Sequence, residues 1–412
     1  MSKFLLRGRV IPAIGDTVWE DGAVLIEDTV IRYAGEYSGC PETNHPTYSC
    51  KNGTILPGFI DVHAHLDGSA DAGSFANGKL FGDQLLGAVH QCELLLESGF
   101  TGIRDMSEAG VYLNRGVDRQ VIRGPRIVPG GKVLGITSGH VDLMPGMTKE
   151  QYNQLDHLSR MCDGVDDCIL AVREQFRIGS KFIKICATGG VSSPTDNVTD
   201  VQFSDEELQA IVQEAKRHGS YVTAHCTGNE GAYHALLAGV ECIEHGVMLT
   251  QREIDMMADW NVPLVTTLNV SLGVARIPGL PDWLHKKAAL AAESNIRSIS
   301  MARKAGVRIA FGSDFQNTPN TSFKELGAEF RAMTEAGMSN MEAILAGTIN
   351  AAYIMRMEER IGSLEFGKLA DITVVDGNPL EDINCLTHAN HVKLVIKNGH
   401  IEKICSDVQK QE

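Results

Sequence analysis

The residues in this chain best suited to chemistry are histidines, one lysine and one aspartate set at the ends of apolar runs. His63 and His65 close the run "GFIDVHAHLDG" with a single alanine between them. Side chains alternate along a strand, so imidazoles two positions apart turn to the same side and converge on one point. Further on, Lys184 lies in "KFIKICATGG", His225 in "YVTAHCTG", His245 in "VECIEHGV" and Asp314 in "RIAFGSDF". Each alone has an ordinary explanation. A lone imidazole on an apolar strand is commonly a satisfied core residue, and an aspartate after "FGS" serves equally well as a turn or helix cap. A lysine is almost never fully buried without a partner, so Lys184 inside "FIKIC" is the least ordinary of them. Taken together, imidazole and carboxylate suit Zn or a similar divalent ion, with a coordination position left open for water.

Such a set needs elements that deliver each residue to one rim. From Phe59 to about Arg356 strand-like runs alternate with helical stretches, the pattern of repeated βα units and a parallel sheet. Eight candidate strands stand out: "FIDVHAHL", "TGIRDM", "RIVPGGKVLGI", "KFIKICATGG", "YVTAHCTG", "VECIEHGV", "PLVTTLNV" and "RIAFGSDF". The spacing predicts an α/β fold of the (β/α)8 TIM-barrel type, with its chemistry at the C-terminal ends of the strands. One intervening helix is marked at both ends, by Ser204 and Glu207 in capping-box spacing and by Gly219. Residues 3 to 57 instead carry short strand signals and turns, and "GKLADITVVDGNPL" with "HVKLVIKNGHIEKI" returns to that pattern near the end. The two terminal segments are expected to pair.

Composition narrows the partners. With 412 residues, 43% hydrophobic and 22% charged, the chain has an ordinary globular balance. Its formal charge of −15 disfavours nucleic acid, whose binding needs concentrated Lys and Arg, and points to a small-molecule substrate. Arg7, Gly8 and Arg9 interrupt any signal-peptide core, and no run reaches the ~18 apolar residues of a membrane span, so a cytoplasmic location is expected. The ten cysteines are scattered without a C-x-x-C pair and read as reduced thiols packed as small hydrophobes. Homo-oligomer formation stays open.

The chain resembles the amidohydrolase superfamily of metal-dependent hydrolases over nearly its whole length. "PGFIDVHAHL" matches its H-x-H strand, the segments around His225, "EHG" at 244 to 246 and "GSD" at 312 to 314 match the later ligand strands, and "IGSLEFGKLADITVVDGNPL" matches the return to its β-sandwich. Within it, "IKICATGGV" and "GITSGHVD" look like the branch of Xaa-Pro dipeptidases, ochratoxin-type amidohydrolases and imidazolonepropionase-like proteins. The resemblance implies a barrel at 58–360 and a small β-sandwich domain formed by 1–57 and 361–412. It also implies two divalent metal ions, expected to be Zn2+, with N6-carboxylated Lys184 bridging them. Physical sense agrees: an ammonium would be repelled by two dications, whereas a buried, neutral lysine adds CO2 to become an anionic bridge. His63, His65 and Asp314 would hold one ion and His225 and His245 the other, with Lys184 and a hydroxide shared.

The implied activity is hydrolysis of an amide (peptide-like) bond in Xaa-Pro or other dipeptides or N-acyl amino acids, with Asp314 as proton shuttle. Alternatives are hydrolysis or deamination of a cyclic amide or amidine, and a non-catalytic binding protein. Ring deaminases of the superfamily add an acidic residue three positions after the fifth-strand histidine, where this chain has Gly228. Imidazolonepropionases use one metal and lack the bridging lysine. For substrate binding, His140 after "GITSG" and Tyr233 in "NEGAYHALLAG" are the candidates, although relatives carry an arginine in the latter loop. "DGSADAGSFANGKL", directly after His65, reads as a loop over the site.

Overall fold

A computed structural model describes residues 3–66, 80–277, 279–315 and 325–411. The expected loop after His65 lies, apart from Leu80, outside the described residues. The chain opens with β1 (Lys3–Val10), β2 (Trp19–Glu27), β3 (Val30–Glu36) and β4 (Thr47–Pro57). Its middle holds β5 (Phe59–Ala64), β6 (Phe100–Asp105), β7 (Arg126–Pro129), β8 (Val133–Gly135), β9 (Ser159–Met161), β10 (Ile183–Cys186), β11 (Val222–Cys226), β12 (Cys242–His245), β13 (Leu264–Val265) and β14 (Ile309–Ala310). It closes with β15 (Ile372–Asp376), β16 (Val392–Lys397), β17 (His400–Ile404) and β18 (Gln409–Gln411).

The two ends of the chain share one sheet, in the order β17-β16-β15-β4-β1-β2-β3, with β18 also on β4. β4 joins the halves, parallel to β1 on one side and antiparallel to β15 on the other. Phe4, Leu6, Val24, Ile26, Ile55, Ile372, Val374, Leu394 and Ile396 bury one face as a single cluster. Alternation accounts for this, since these residues recur at every second position. Asn398 and Gly399, at φ 50° and 72°, make the tight turn between β16 and β17.

The middle of the chain forms two parallel sheets, β14-β13-β12-β11-β10-β8-β9 and β5-β6-β7. Backbone hydrogen bonds bridge both seams between them. On one side Val62 donates to Phe311 (3.1 Å) and His65 to Phe315 (2.9 Å); on the other Lys181 donates to Pro129 (2.7 Å). All eight strands expected from the sequence are present, with one difference: "RIVPGGKVLGI" is two strands. Gly131 turns the chain at φ 71°, and a side chain there would strike Ser180 and Gln175, so β7 and β8 are offset pieces joined by a glycine corner. β9, which extends the sheet beyond β8, was not anticipated.

Alternation in the parallel strands sorts interior from exterior. Ile183 and Ile185 of β10, Val222 and Ala224 of β11 and Ile243 of β12 join the large core with Leu208, Ile211, Val212 and Ala215 from the helix Asp205–Arg217. Burying each of these larger aliphatic side chains contributes roughly 1.5–3 kcal/mol. That helix starts as read: Ser204 accepts from the Glu207 backbone, and Glu207 returns the bond to Ser204. Lys184, Thr223, His225, Cys242 and Glu244 occupy the opposite positions.

Candidate metal centre and active site

Five imidazoles form a continuous file across the strand ends. Ring centroids lie 5.5 Å apart for His65 and His63, 4.8 Å for His63 and His245, 4.5 Å for His245 and His225, and 4.5 Å for His225 and His140. The backbone bends in two places to assemble them. Between the paired positions Asp61↔Ile103 and Ala64↔Asp105, β5 spends three residues to β6's two, which is a bulge. Val62 therefore packs with Cys242, Val265 and Ala310 while the next residue, His63, meets Glu244. Simple alternation would have sent them to opposite faces. At the end of β12, His245 takes φ 67°, so it joins the site directly after the inward-facing Glu244. Asp314 likewise sits at φ 52°. Left-handed backbone at two non-glycine site residues is strain of the kind concentrated at functional sites.

In each of the four candidate histidine ligands, one ring nitrogen is held by a non-ligand partner and the other is left for the site. His63 Nδ1 donates to the Glu244 carboxylate at 2.7 Å, and His65 Nδ1 donates to the Met106 carbonyl at 3.0 Å. His245 Nδ1 lies 2.7 Å from the Thr267 hydroxyl. His225 is turned the other way, with Nε2 3.3 Å from the Gly189 carbonyl and 3.1 Å from the Thr227 hydroxyl. Asp314 Oδ1 closes one end of the cluster, 3.5 Å from His63 Nε2 and 3.2 Å from His65 Nε2. These three donors lie within 4.8 Å of one another. Fixing the tautomer from outside is how proteins prepare histidines to ligate a metal. The donor set fits divalent ions.

Electrostatics favour the form a metal requires at three of the four histidines; at His65 burial alone would lower the pKa, but the hydrogen bond and charge of Asp314 raise it. Burial, together with the nearby Lys184 charge, pushes the His63, His225 and His245 pKa values well down, so these rings are neutral at neutral pH. Burial also lowers the Lys184 pKa, against the opposing pull of Glu244, Cys186 and Asp314. Burial alone would raise the Asp314 pKa, but the neighbouring His63 and His65, the latter through a hydrogen bond, hold it below the usual carboxylate range.

Beneath the ring of donors lies a polar layer that sequence reading missed. Glu244, fully buried, accepts from His63, from Arg104 and from the Thr223 hydroxyl. Burial by itself would raise the Glu244 pKa, and the Arg104 charge reverses that. Arg104 also donates from Nε to the Val62 carbonyl (2.6 Å), tying the ion pair to the strand that carries His63. Asp61 accepts from the backbone of His63 (3.1 Å) and from Ser313 through its amide (3.0 Å) and hydroxyl (2.5 Å), bracing the segment that leads into Asp314. Asp105 does the same for the chain after His65, accepting from Leu66 N at 2.6 Å and from Ser107. A signal was available: an arginine, a glutamate and two aspartates inside apolar strands are rare unless paired.

His140 stands at the end of the file. Tyr233 is half-buried on the helix Asn229–Ala238, its ring 3.9 Å from the Arg252 guanidinium rather than against the imidazoles.

A strand-end cluster of preset imidazoles, a carboxylate and a buried lysine on parallel α/β sheets is the centre of a metal-dependent enzyme class. The chain belongs to the amidohydrolase family, whose sequence profile matches residues 54–401. It is 31% identical over 415 aligned positions to the ochratoxinase of Aspergillus niger, covering 96% of this chain and 85% of that protein. The crystal structure of a prolidase complexed with N-methylphosphonate-L-proline matches with a TM-score of 0.90 at 30% identity, over 98% of this chain and all (100%) of that one. A Xaa-Pro dipeptidase with methionine bound in its active site matches at 0.86 and 31% identity, over 97% and 99% of the two chains.

Proposed function

We propose that the chain hydrolyses an amide bond in a small substrate, an Xaa-Pro or other dipeptide or an N-acyl amino acid, at a two-metal centre. The observation that carries this is the set of four histidines, each with one nitrogen pinned from outside and one left for a ligand. Similarity to an ochratoxinase, a prolidase and a Xaa-Pro dipeptidase supports the amide class. His63, His65 and Asp314 would hold one divalent ion, His225 and His245 a second, and Lys184, carboxylated by CO2 after losing its proton, both. When bound, such ions, Zn2+ by donor type, polarise the scissile carbonyl and bring a water's pKa toward ~7.

The protein's own residues do the rest. Glu244, held by Arg104, keeps the His63 ring in one tautomer and orientation. The Asp314 carboxylate accepts a proton from the attacking water and returns it to the leaving nitrogen as the C–N bond breaks. His140, at the end of the imidazole file, would meet the substrate, whereas Tyr233, stacked on Arg252, is not placed to do so. The scaffold of this reading is a (β/α)8 barrel at 58–360, supported by hydrogen bonds across both sheet seams, with a β-sandwich domain from 1–57 and 361–412. Among the described residues no helix is long and apolar enough to cross a membrane. Placement in the cytoplasm is supported by cysteines packed as small hydrophobes, among them Cys92, Cys162, Cys186, Cys226 and Cys242, all buried.

The test is a screen of Xaa-Pro dipeptides and N-acyl amino acids against the Zn-loaded enzyme, read by released amino acid. Turnover of at least one is expected, and Lys184→Ala or Asp314→Ala should abolish it. Activity within about tenfold of the parent in either variant would contradict the assignment, because removing a transition-state group costs about 10²–10⁴ in rate.

A further inference from the structure

His140 is held differently from the other four imidazoles. It follows β8 in a turn, its ring stacks on that of His225 at an interplanar angle of 25°, and its Nδ1 is buried with no hydrogen bond. The facing group is Asp196, whose Oδ2 lies 3.5 Å from that nitrogen. Asp196 is itself fixed. Its Oδ2 accepts from Gly190 N at 3.1 Å and lies 3.5 Å from Gln202 Nε2, while its Oδ1 pairs with Lys287 Nζ at 3.1 Å.

Lys287 comes from a helix outside the sheets, Asp282–Lys304, and its ammonium also reaches three backbone carbonyls: Gly190 (3.1 Å), Ser193 (2.8 Å) and Asp196 (2.5 Å). An ammonium has three protons to donate, so these partners saturate it. One charge thereby fastens the loop 189–196 to the helix. The same loop abuts two site histidines. Gly189 offers its carbonyl to His225 Nε2, and a Cβ on Gly190 would lie 2.2–2.5 Å from the His140 ring, so only a bare backbone fits against that face.

We propose that Asp196 and Lys287 are positioning residues for His140: Lys287 locks the loop, the loop presents Asp196 to His140 Nδ1, and Nε2 is left as the ring nitrogen that meets the substrate. The consequence for catalysis rests on the amide-hydrolase reading; the orientation of the ring does not. The distant helix Asp282–Lys304 becomes part of the substrate site through a single side chain.

Two measurements separate these levels. In the metal-loaded full chain, long-range 1H–15N spectra of the imidazoles, with the His140 signals assigned by their loss in His140→Asn, should show Nδ1 carrying a proton. Lys287→Met and Asp196→Asn should each shift or broaden those signals while His63, His65 and His245, which the loop does not hold, keep theirs. Unchanged His140 signals in both variants would overturn the proposal whatever the substrate. On a dipeptide that the enzyme turns over, Lys287→Met should lower kcat/KM by about tenfold or more, mostly through KM, and by less than about threefold in a His140→Asn background. Lys287→Arg should restore part of the loss. Equal losses in both backgrounds, matched by equal falls in Tm, would make Lys287 a structural residue only. Absence of any turnover would remove the amide reading and leave the spectroscopic result to decide the positioning.

Discussion

Asp314 is the residue at which conformation and chemistry are most tightly joined. Its left-handed backbone, φ 52°, is one that Asp and Asn tolerate best among non-glycine residues. Asp314→Asn therefore keeps the turn while removing the anionic oxygen beside His63 and His65. It is expected to lower kcat by about 10²–10⁴ on the substrate found in the screen, with little change in the Tm of the metal-free protein. Glu244→Gln makes a different prediction. It leaves Arg104 charged in a site with no exposure and frees the His63 ring. Metal affinity should fall about 10–100-fold in competition with a chromophoric chelator, and urea unfolding should register a loss of roughly 3–5 kcal/mol. A Glu244→Gln protein with full affinity would remove its bracing role. The six candidate ligands stand out in the sequence because each interrupts an apolar run with a titratable side chain, and His63, His65 and Asp314 come together in the structure. Glu244 and Arg104 interrupt such runs equally, but their meaning lies in each other, across 140 residues, and no local pattern carries that.

At the scale of elements, what is local was readable and what depends on partners was not. The helix Asp205–Arg217 was delimited because its capping box and its terminal Gly219 are written within the segment. Ser204→Ala should cost about 1 kcal/mol, lowering Tm by a degree or two in thermal melts and leaving kcat/KM unchanged. An accompanying loss of activity would mean that this helix steers the site more directly than its contacts indicate. The bulge in β5 is set by neighbouring strands. Alternation explained His63 and His65 from the sequence, yet the bulge is what brings His63 beside Glu244, and the left-handed turn of His245 does the same from β12. The bulge and the His245 turn sit at the site, whereas the corner between β7 and β8 rests on Gly131, the one local signal among the three.

For the whole molecule, the chain's ends meet in one sheet while its middle supplies the parallel strands, so topology brings the site residues, spread from His63 to Asp314, to one region, and the β5 bulge and the left-handed turns complete the site. Bound ions would stabilise this assembly by mass action, since they bind the folded donor set and scarcely the unfolded chain. Removing metal with a chelator should lower Tm by several degrees, and Zn2+ should restore it; a Tm indifferent to both would argue against a metal centre of this size. The most direct test is to strip the enzyme of metal and titrate dipeptide hydrolysis against added Zn2+. Activity is expected to be negligible in the stripped protein and to rise to a plateau at two equivalents per chain. A plateau at one equivalent, or hydrolysis that persists without metal, would contradict the two-metal amide hydrolase described above.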